Sequence, residues 1–215
     1  MPASPLQLDG QTLTIAQVRA VAESDGQVAL STAAATRMAA TRKVVDGIVA
    51  RNDVVYGITT GFGKLSDVAI PPDKLAALQV NLVRSHSVGV GTPLPRREVR
   101  AMMLLRANVL AKGFSGARPA LSELLCAMLN ADLWPIVPEQ GSVGASGDLA
   151  PLAHLALALI GEGDLMHGSQ RGTAAALLKS AGLAPIVLGP KEGLSLINGT
   201  QAHTAVAALA VGDAR

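Results

Sequence analysis

Gly141-Ser142-Val143-Gly144-Ala145-Ser146-Gly147-Asp148-Leu149-Ala150-Pro151-Leu152-Ala153-His154 sets three glycines ahead of an apolar, helix-like run. The chemistry latent at its centre decides how the chain is read. If the backbone nitrogen of Gly147 attacks the carbonyl carbon of Ala145, a five-membered ring closes. Loss of water from that adduct, and of the Ser146 hydroxyl as a second water, leaves an exocyclic methylene conjugated to an imidazolone. Each residue type has a reason. Glycine lacks a Cβ, so its nitrogen can approach in a compressed turn. Ser146 supplies the hydroxyl that leaves, and Ala145 keeps the attacked carbon uncrowded. A helix predicted from about Asp148 to Ile160 would point the positive end of its dipole at the ring. Asp148 is placed to cap that helix or to assist proton transfer. Taken alone, Ala-Ser-Gly is a common tripeptide, and an ordinary helix-start loop is its better reading.

The bulk properties set the frame around this segment. The chain has 215 residues, 49% apolar and 16% charged, with a formal net charge of +2. A mean hydropathy of +0.37 is too apolar for disorder. So small a charge excess gives no basic field for nucleic acid. The four aromatics, Tyr56, Phe62, Phe114 and Trp134, are too few for a base-stacking platform. The lone Cys126 excludes an internal disulfide and reads as a buried core thiol. Met1 to Pro5 has no basic n-region or apolar h-region. The longest apolar run, Leu149 to Ile160, falls short of a membrane span. The expected compartment is the cytoplasm, with no nucleic-acid or membrane partner.

Periodicity predicts a mostly α fold with one or two short β-hairpins. Asp9-Gly10 between Leu6 and Leu13 suggests a hairpin turn. Thr14 and Gln17 suit a capping box for a helix to about Ala22. Ser31 or Thr32 opens a helix to about Arg51, with Met38, Val45, Ile48 and Val49 inward. Pro71-Pro72, Pro95 and Pro119 each mark a helix start. A turn is expected at His167-Gly168-Ser169, a helix from Thr173 to Ser180, and an apolar helix from Thr200 to about Val211. The chain then stops after an apolar helix without a polar tail, which suggests a part of something larger or a chain packed against a partner.

Several apparent motifs fail on their chemistry. Gly57 to Lys64 has one residue too many for a phosphate loop, and Leu65 stands where a magnesium-binding Ser or Thr is needed. Gly144-Ala145-Ser146-Gly147 lacks the spacing of a nucleophile elbow. The histidines His86, His154, His167 and His203 show no His-x-x-x-His pair and lend no support to a metal site.

The run from Gly141 to Leu152 closely resembles the prosthetic-group segment of the aromatic amino acid ammonia-lyase family. Three further segments match in order. Tyr56-Gly57-Ile58-Thr59-Thr60-Gly61-Phe62-Gly63 is similar to the family's tyrosine loop. Asn81-Leu82-Val83-Arg84-Ser85-His86 is similar to its substrate-selectivity segment, and Leu196-Ile197-Asn198-Gly199-Thr200-Gln201 to its asparagine segment. The likeness runs from about Leu13 to the end.

That resemblance implies a 4-methylidene-imidazol-5-one built from Ala145, Ser146 and Gly147, with no external cofactor. It makes Tyr56 the candidate general base, His86 and Asn198 substrate-binding residues, and Gly63 and Asp148 supporting ones. Ser85-His86 resembles the histidine-specific members, since a histidine can hydrogen-bond an imidazole. Tyrosine or phenylalanine lyases and aminomutases of the family are the alternatives. His154 reads as structural, and Trp134 as core or interface. Family members are roughly twice this length or more and form homotetramers. Residues 1–215 therefore correspond to the N-terminal, ring-bearing domain, without the C-terminal helices that carry a carboxylate-binding arginine. The chain is then expected to have little activity alone. A reading from another class is an inactive helical domain that binds other chains.

Overall fold

A computed structural model describes residues 4–24, 26–142 and 149–214. The chain order is β1 (Leu6–Leu8), α1 (Ile15–Glu23), β2 (Val28–Leu30), α2 (Thr32–Ala50), α3 (Leu75–His86) and β3 (Val90–Pro93). Then come α4 (Arg96–Ala111), α5 (Pro119–Asn130), β4 (Leu133–Pro135), β5 (Pro138–Gln140) and α6 (Leu149–Leu159). The hairpin β6 (Asp164–His167) and β7 (Gln170–Thr173) precedes α7 (Ala174–Ser180), α8 (Glu192–Ile197) and α9 (Gln201–Asp213).

The helix starts follow from their capping chemistry. Thr14 and Gln17 form the reciprocal capping box of α1, and Ser31 accepts from Ala34 N–H at the start of α2. Pro119 occupies the first turn of α5, and Pro95 immediately precedes α4. Thr173 caps α7, and Gly182 ends it with φ +71°. Pro72 first makes a short 3-10 turn, after which α3 begins at Leu75.

α4 lies at the centre. It packs against α1, α2, α5 and α9, and Val99, Met103, Leu104 and Leu110 are buried along it. The core continues through Leu121 and Leu125 of α5 into Leu152 and Leu155 of α6. Trp134 is buried in β4 with Arg96 stacked over its ring. Cys126 is buried, and burial pushes its thiol up to about 12, which leaves it an inert core group.

One buried cation deserves its place in this core. Arg100 is fully enclosed in α4 and donates to the carbonyls of Val21, Ser24 and Leu129 and to Asp132 Oδ1. It thereby satisfies the carbonyl ends of α1 and α5 with a positive charge, which is where a cation is favoured.

The expected hairpin at Asp9-Gly10 does not form. β1 pairs in parallel with β2, with Leu6 opposite Val28, so α1 crosses between them. Asp9 instead turns the chain: its carboxylate accepts from Gln11 N–H, Thr12 N–H and the Thr12 hydroxyl. These bonds hold its pKa down at about 2. Gly10, at φ +78°, lies against the end of α4 and donates to Asn108 Oδ1. A turn dipeptide specifies a reversal but not the partner strand. The true hairpin is β6–β7, turning at Gly168. β4 joins it to make a three-stranded sheet, and β3 pairs with β5.

Gly10→Ala is expected to destabilise the fold by about 2–4 kcal/mol. An added Cβ would sit 2.6 Å from the backbone nitrogen of Lys112. Urea unfolding of the two proteins measures the difference.

Candidate active site

The tyrosine loop is held by threonine hydroxyls. Thr59 Oγ1 donates to Asp53 O at 2.5 Å and accepts from Val55 N–H at 2.9 Å. Thr60 Oγ1 accepts from Gly57 N–H, and Thr60 bridges to Ala69. These bonds replace a regular ladder and leave Tyr56 at the outer edge, 60% exposed. Its ring meets Phe62 edge-on at 6.2 Å. Gly57, at φ +74°, touches α8: a Cβ there would lie 2.8 Å from Leu194 Cδ2. Gly63 has φ +57°, and a Cβ added there would meet nothing within 4 Å among the described residues.

His86 is the last residue of α3. Its Nδ1 lies 2.9 Å from Leu82 O and 3.1 Å from Ser85 Oγ. A carbonyl can only accept, which assigns the proton to Nδ1 and leaves Nε2 of the neutral ring as an acceptor. His86 thus caps its own helix through Nδ1.

Asn198 closes α8, its N–H bonded to Leu194 O at 3.0 Å, and its side chain is exposed. It is not the N-cap of α9, a place taken by Thr200. The start of α8 is anchored by Glu192, fully buried, which accepts from Arg118 and from Gly189 N–H. Burial raises the pKa of this carboxyl, but the hydrogen bonds from Arg118 and Gly189 outweigh it and keep the group ionised.

Arg106 is the residue that sequence reasoning missed. It lies in α4 at 2% exposure and donates to Ser195 O, to Asn198 O at 3.1 Å and to Gln201 Oε1 at 2.5 Å. One guanidinium thus grips the end of α8, Asn198 and the start of α9. Burial lowers its pKa to about 10, so it stays charged near neutrality. A Cβ on Gly199 would run into Arg106 and Gln201, which explains the glycine beside Asn198. The signal was present: an arginine directly after the apolar run Met102-Met103-Leu104-Leu105, where a charge needs buried acceptors.

Packing brings these segments together. α3, α6 and α8 pack against one another. Gln79 Oε1 of α3 accepts from Gly193 N–H of α8 at 2.9 Å. Beyond His86, the Gly89 N–H donates to Nε2 of His154 in α6 at 3.1 Å. Gly141 comes so close to Gly89 that an added Cβ would lie 2.9 Å from Gly89 Cα, and 3.2 Å from Ala150 Cβ. Ala145, Ser146, Gly147 and Asp148 lie outside the described residues. Their described flanks, Gly141 and Ala150, meet each other beside Gly89. An apolar cavity of about 450 Å³ opens next to Ser142, lined also by Pro151, His203 and Val206. Among the described residues, Tyr56, His86 and Asn198 share no hydrogen bond, and no group of three potential metal ligands occurs. No described helix is long and apolar enough to cross a membrane.

The family model for aromatic amino acid lyases matches residues 13–215. The chain belongs to that family. It is 54% identical over 202 residues to a histidine ammonia-lyase of Myxococcus xanthus, covering 94% of this chain and 40% of the relative. A histidine ammonia-lyase of Geobacillus sp. is 53% identical over 199 residues, covering 93% of this chain and 39% of the relative. The crystal structure of histidine ammonia-lyase from Trypanosoma cruzi superposes with a TM-score of 0.89 at 43% identity, over 97% of this chain and 40% of that one. A tyrosine aminomutase from Streptomyces globisporus gives 0.90 at 41% identity, over 97% and 39%. The chain therefore spans about 40% of the length of the relatives it matches. The mostly α architecture expected from periodicity is the fold of these enzymes over the matched region.

Burial holds the pKa of His154 below the ordinary histidine value. The unfolded chain then takes up this proton first as pH falls. Stability from the neutral ring is complete above the unfolded pKa of ~6.5 and declines between that value and the lower folded one. His154→Gln is expected to remove that part of the pH dependence. Urea unfolding of both proteins across this range checks it.

Proposed function

We propose that the whole protein deaminates L-histidine without oxidation, giving trans-urocanate and ammonia, with a 4-methylidene-imidazol-5-one made from Ala145, Ser146 and Gly147. The observation that carries this reading is the 54% identity to enzymes named histidine ammonia-lyase, and the Ser85-His86 pair agrees with it. The described geometry fits the group. Both flanks of the tripeptide meet at one point, between glycines that leave no side chain in the way. A segment that must condense on itself needs its ends held close.

When formed, this ring supplies an electrophile that no ordinary side chain offers, and it makes ammonia a better leaving group. The chain's own residues do the rest. Tyr56 takes a proton from the substrate's β-carbon. The electrons of that C–H bond become the new double bond as the Cα–N bond breaks, and nitrogen leaves with its pair. His86 presents Nε2 to the N–H of the substrate imidazole, because its Nδ1 is committed to Leu82 O. Asn198 offers its exposed amide to the ring oxygen or to the substrate carboxylate, with its backbone fixed by Arg106. Gly63 lets the tyrosine loop turn, and Asp148 is a supporting residue of the ring segment.

The reading extends to the assembly. Residues 1–215 form the N-terminal, ring-bearing domain of a cytoplasmic homotetramer, and turnover needs the family's further helices. The 215 residues alone are expected to turn histidine over slowly or not at all, as urocanate formation would measure.

Intact mass tests the proposal most directly. A chain two waters lighter than its translation carries the ring, and Ser146→Ala abolishes the loss. An unaltered mass favours the inactive helical domain that binds other chains. In the assembled enzyme, His86→Phe is expected to lower kcat/KM for histidine roughly 10- to 1,000-fold while leaving the mass unchanged. Parallel assays with histidine, tyrosine and phenylalanine separate this activity from that of other family members.

A further inference from the structure

α6 is apolar from Leu149 to Leu159 except for one residue, His154. A half-buried imidazole in such a helix needs a partner, and it has one in the backbone N–H of Gly89. Residues 87–89 lie between the end of α3 and the start of β3 and belong to neither. The Gly89 amide therefore has no helix or strand bond of its own, and His154 Nε2 is its acceptor. The contact is close on every side. A Cβ on Gly89 would sit 3.0 Å from His154 Nε2 and 3.2 Å from Pro138 Cβ. On the other side lies Gly141, near enough that its own Cβ would press on Gly89 Cα. Gly89 is thus wedged between the residue that leads into the tripeptide segment and the helix that follows it. It is also only three residues past His86, so the two Cα atoms lie within ~11 Å of each other.

We propose that His154 is a positioning residue. As a neutral acceptor for the Gly89 amide, it locks the segment after His86 between the two flanks of Ala145-Ser146-Gly147 and so maintains the compression under which the ring closes. This rests on the reading that His86 and the tripeptide serve one site. The acceptor role requires Nε2 to be bare and the proton to sit on Nδ1. Leu or Phe at 154 would fill the space but leave the Gly89 N–H without a partner. Gln would offer an amide oxygen in its place.

The test uses the assembled enzyme with His154→Leu and His154→Gln. Amide hydrogen exchange at Gly89 reads the bond, and intact mass reads the ring. The Leu variant is expected to exchange Gly89 at least tenfold faster and to carry a smaller ring-bearing fraction. The Gln variant is expected to recover both. In the unsubstituted protein, nitrogen NMR is expected to find Nε2 of His154 unprotonated at neutral pH, a measurement that stands even if the Leu variant fails to fold. A protonated Nε2 would overturn the inference. So would a Leu variant that keeps both Gly89 protection and the ring, while the ring in the parent chain still upheld the functional reading. An assembled parent enzyme of unaltered mass would remove that reading, and the positioning role with it.

Discussion

Two guanidiniums in one buried helix hold this domain together. α4 places Arg100 and Arg106 in an otherwise apolar core, and each is matched mainly to main-chain carbonyls. Arg100 fastens the ends of α1 and α5, and Arg106 fastens the junction of α8 and α9. A buried cation is costly unless its donors are paired, and although Arg106 Nε has no partner among the described residues, the bonds made by the terminal nitrogens restrict where the surrounding helix ends can sit. The central helix is therefore more than a hydrophobic rod. It sets the positions of elements far away in sequence, Asn198 among them.

The candidate site is built on that frame by close backbone approach. Gly57 against Leu194, Gly193 against Gln79, Gly141 against Gly89 and Gly199 against Arg106 are all contacts that a Cβ would disturb. They join the tyrosine loop to α8, α8 to α3, the tripeptide's leading flank to the segment after His86, and the asparagine turn to α4. Side-chain chemistry is then presented from rigid neighbours, as a site that must hold reacting atoms in place requires. Tyr56 and Asn198 are both exposed at the edge of this frame.

Much of this was legible in the residues. Thr14 with Gln17, Ser31, Pro119 and Thr173 announced their helices, because capping is local chemistry that needs no tertiary partner. The turn at His167-Gly168-Ser169 was legible for the same reason. Asp9-Gly10 was not, since an Asx turn serves a crossing to a helix as well as a hairpin. His86 was legible as a ligand candidate, while its use of Nδ1 to cap α3 was not. Arg106 stood out of its apolar run, but its partners lie some ninety residues away in sequence.

The sequence by itself determined the helix starts and the four ordered motifs, with the tripeptide proposed to condense among them, because each depends on residues a few positions apart. Tertiary structure alone decided that β1 pairs with β2, that Arg106 holds Asn198, and that Gly89 is wedged between Gly141 and His154. Those contacts join residues that sequence separates widely. Their energy comes from excluding water around groups that periodicity shows only as apolar, polar or glycine.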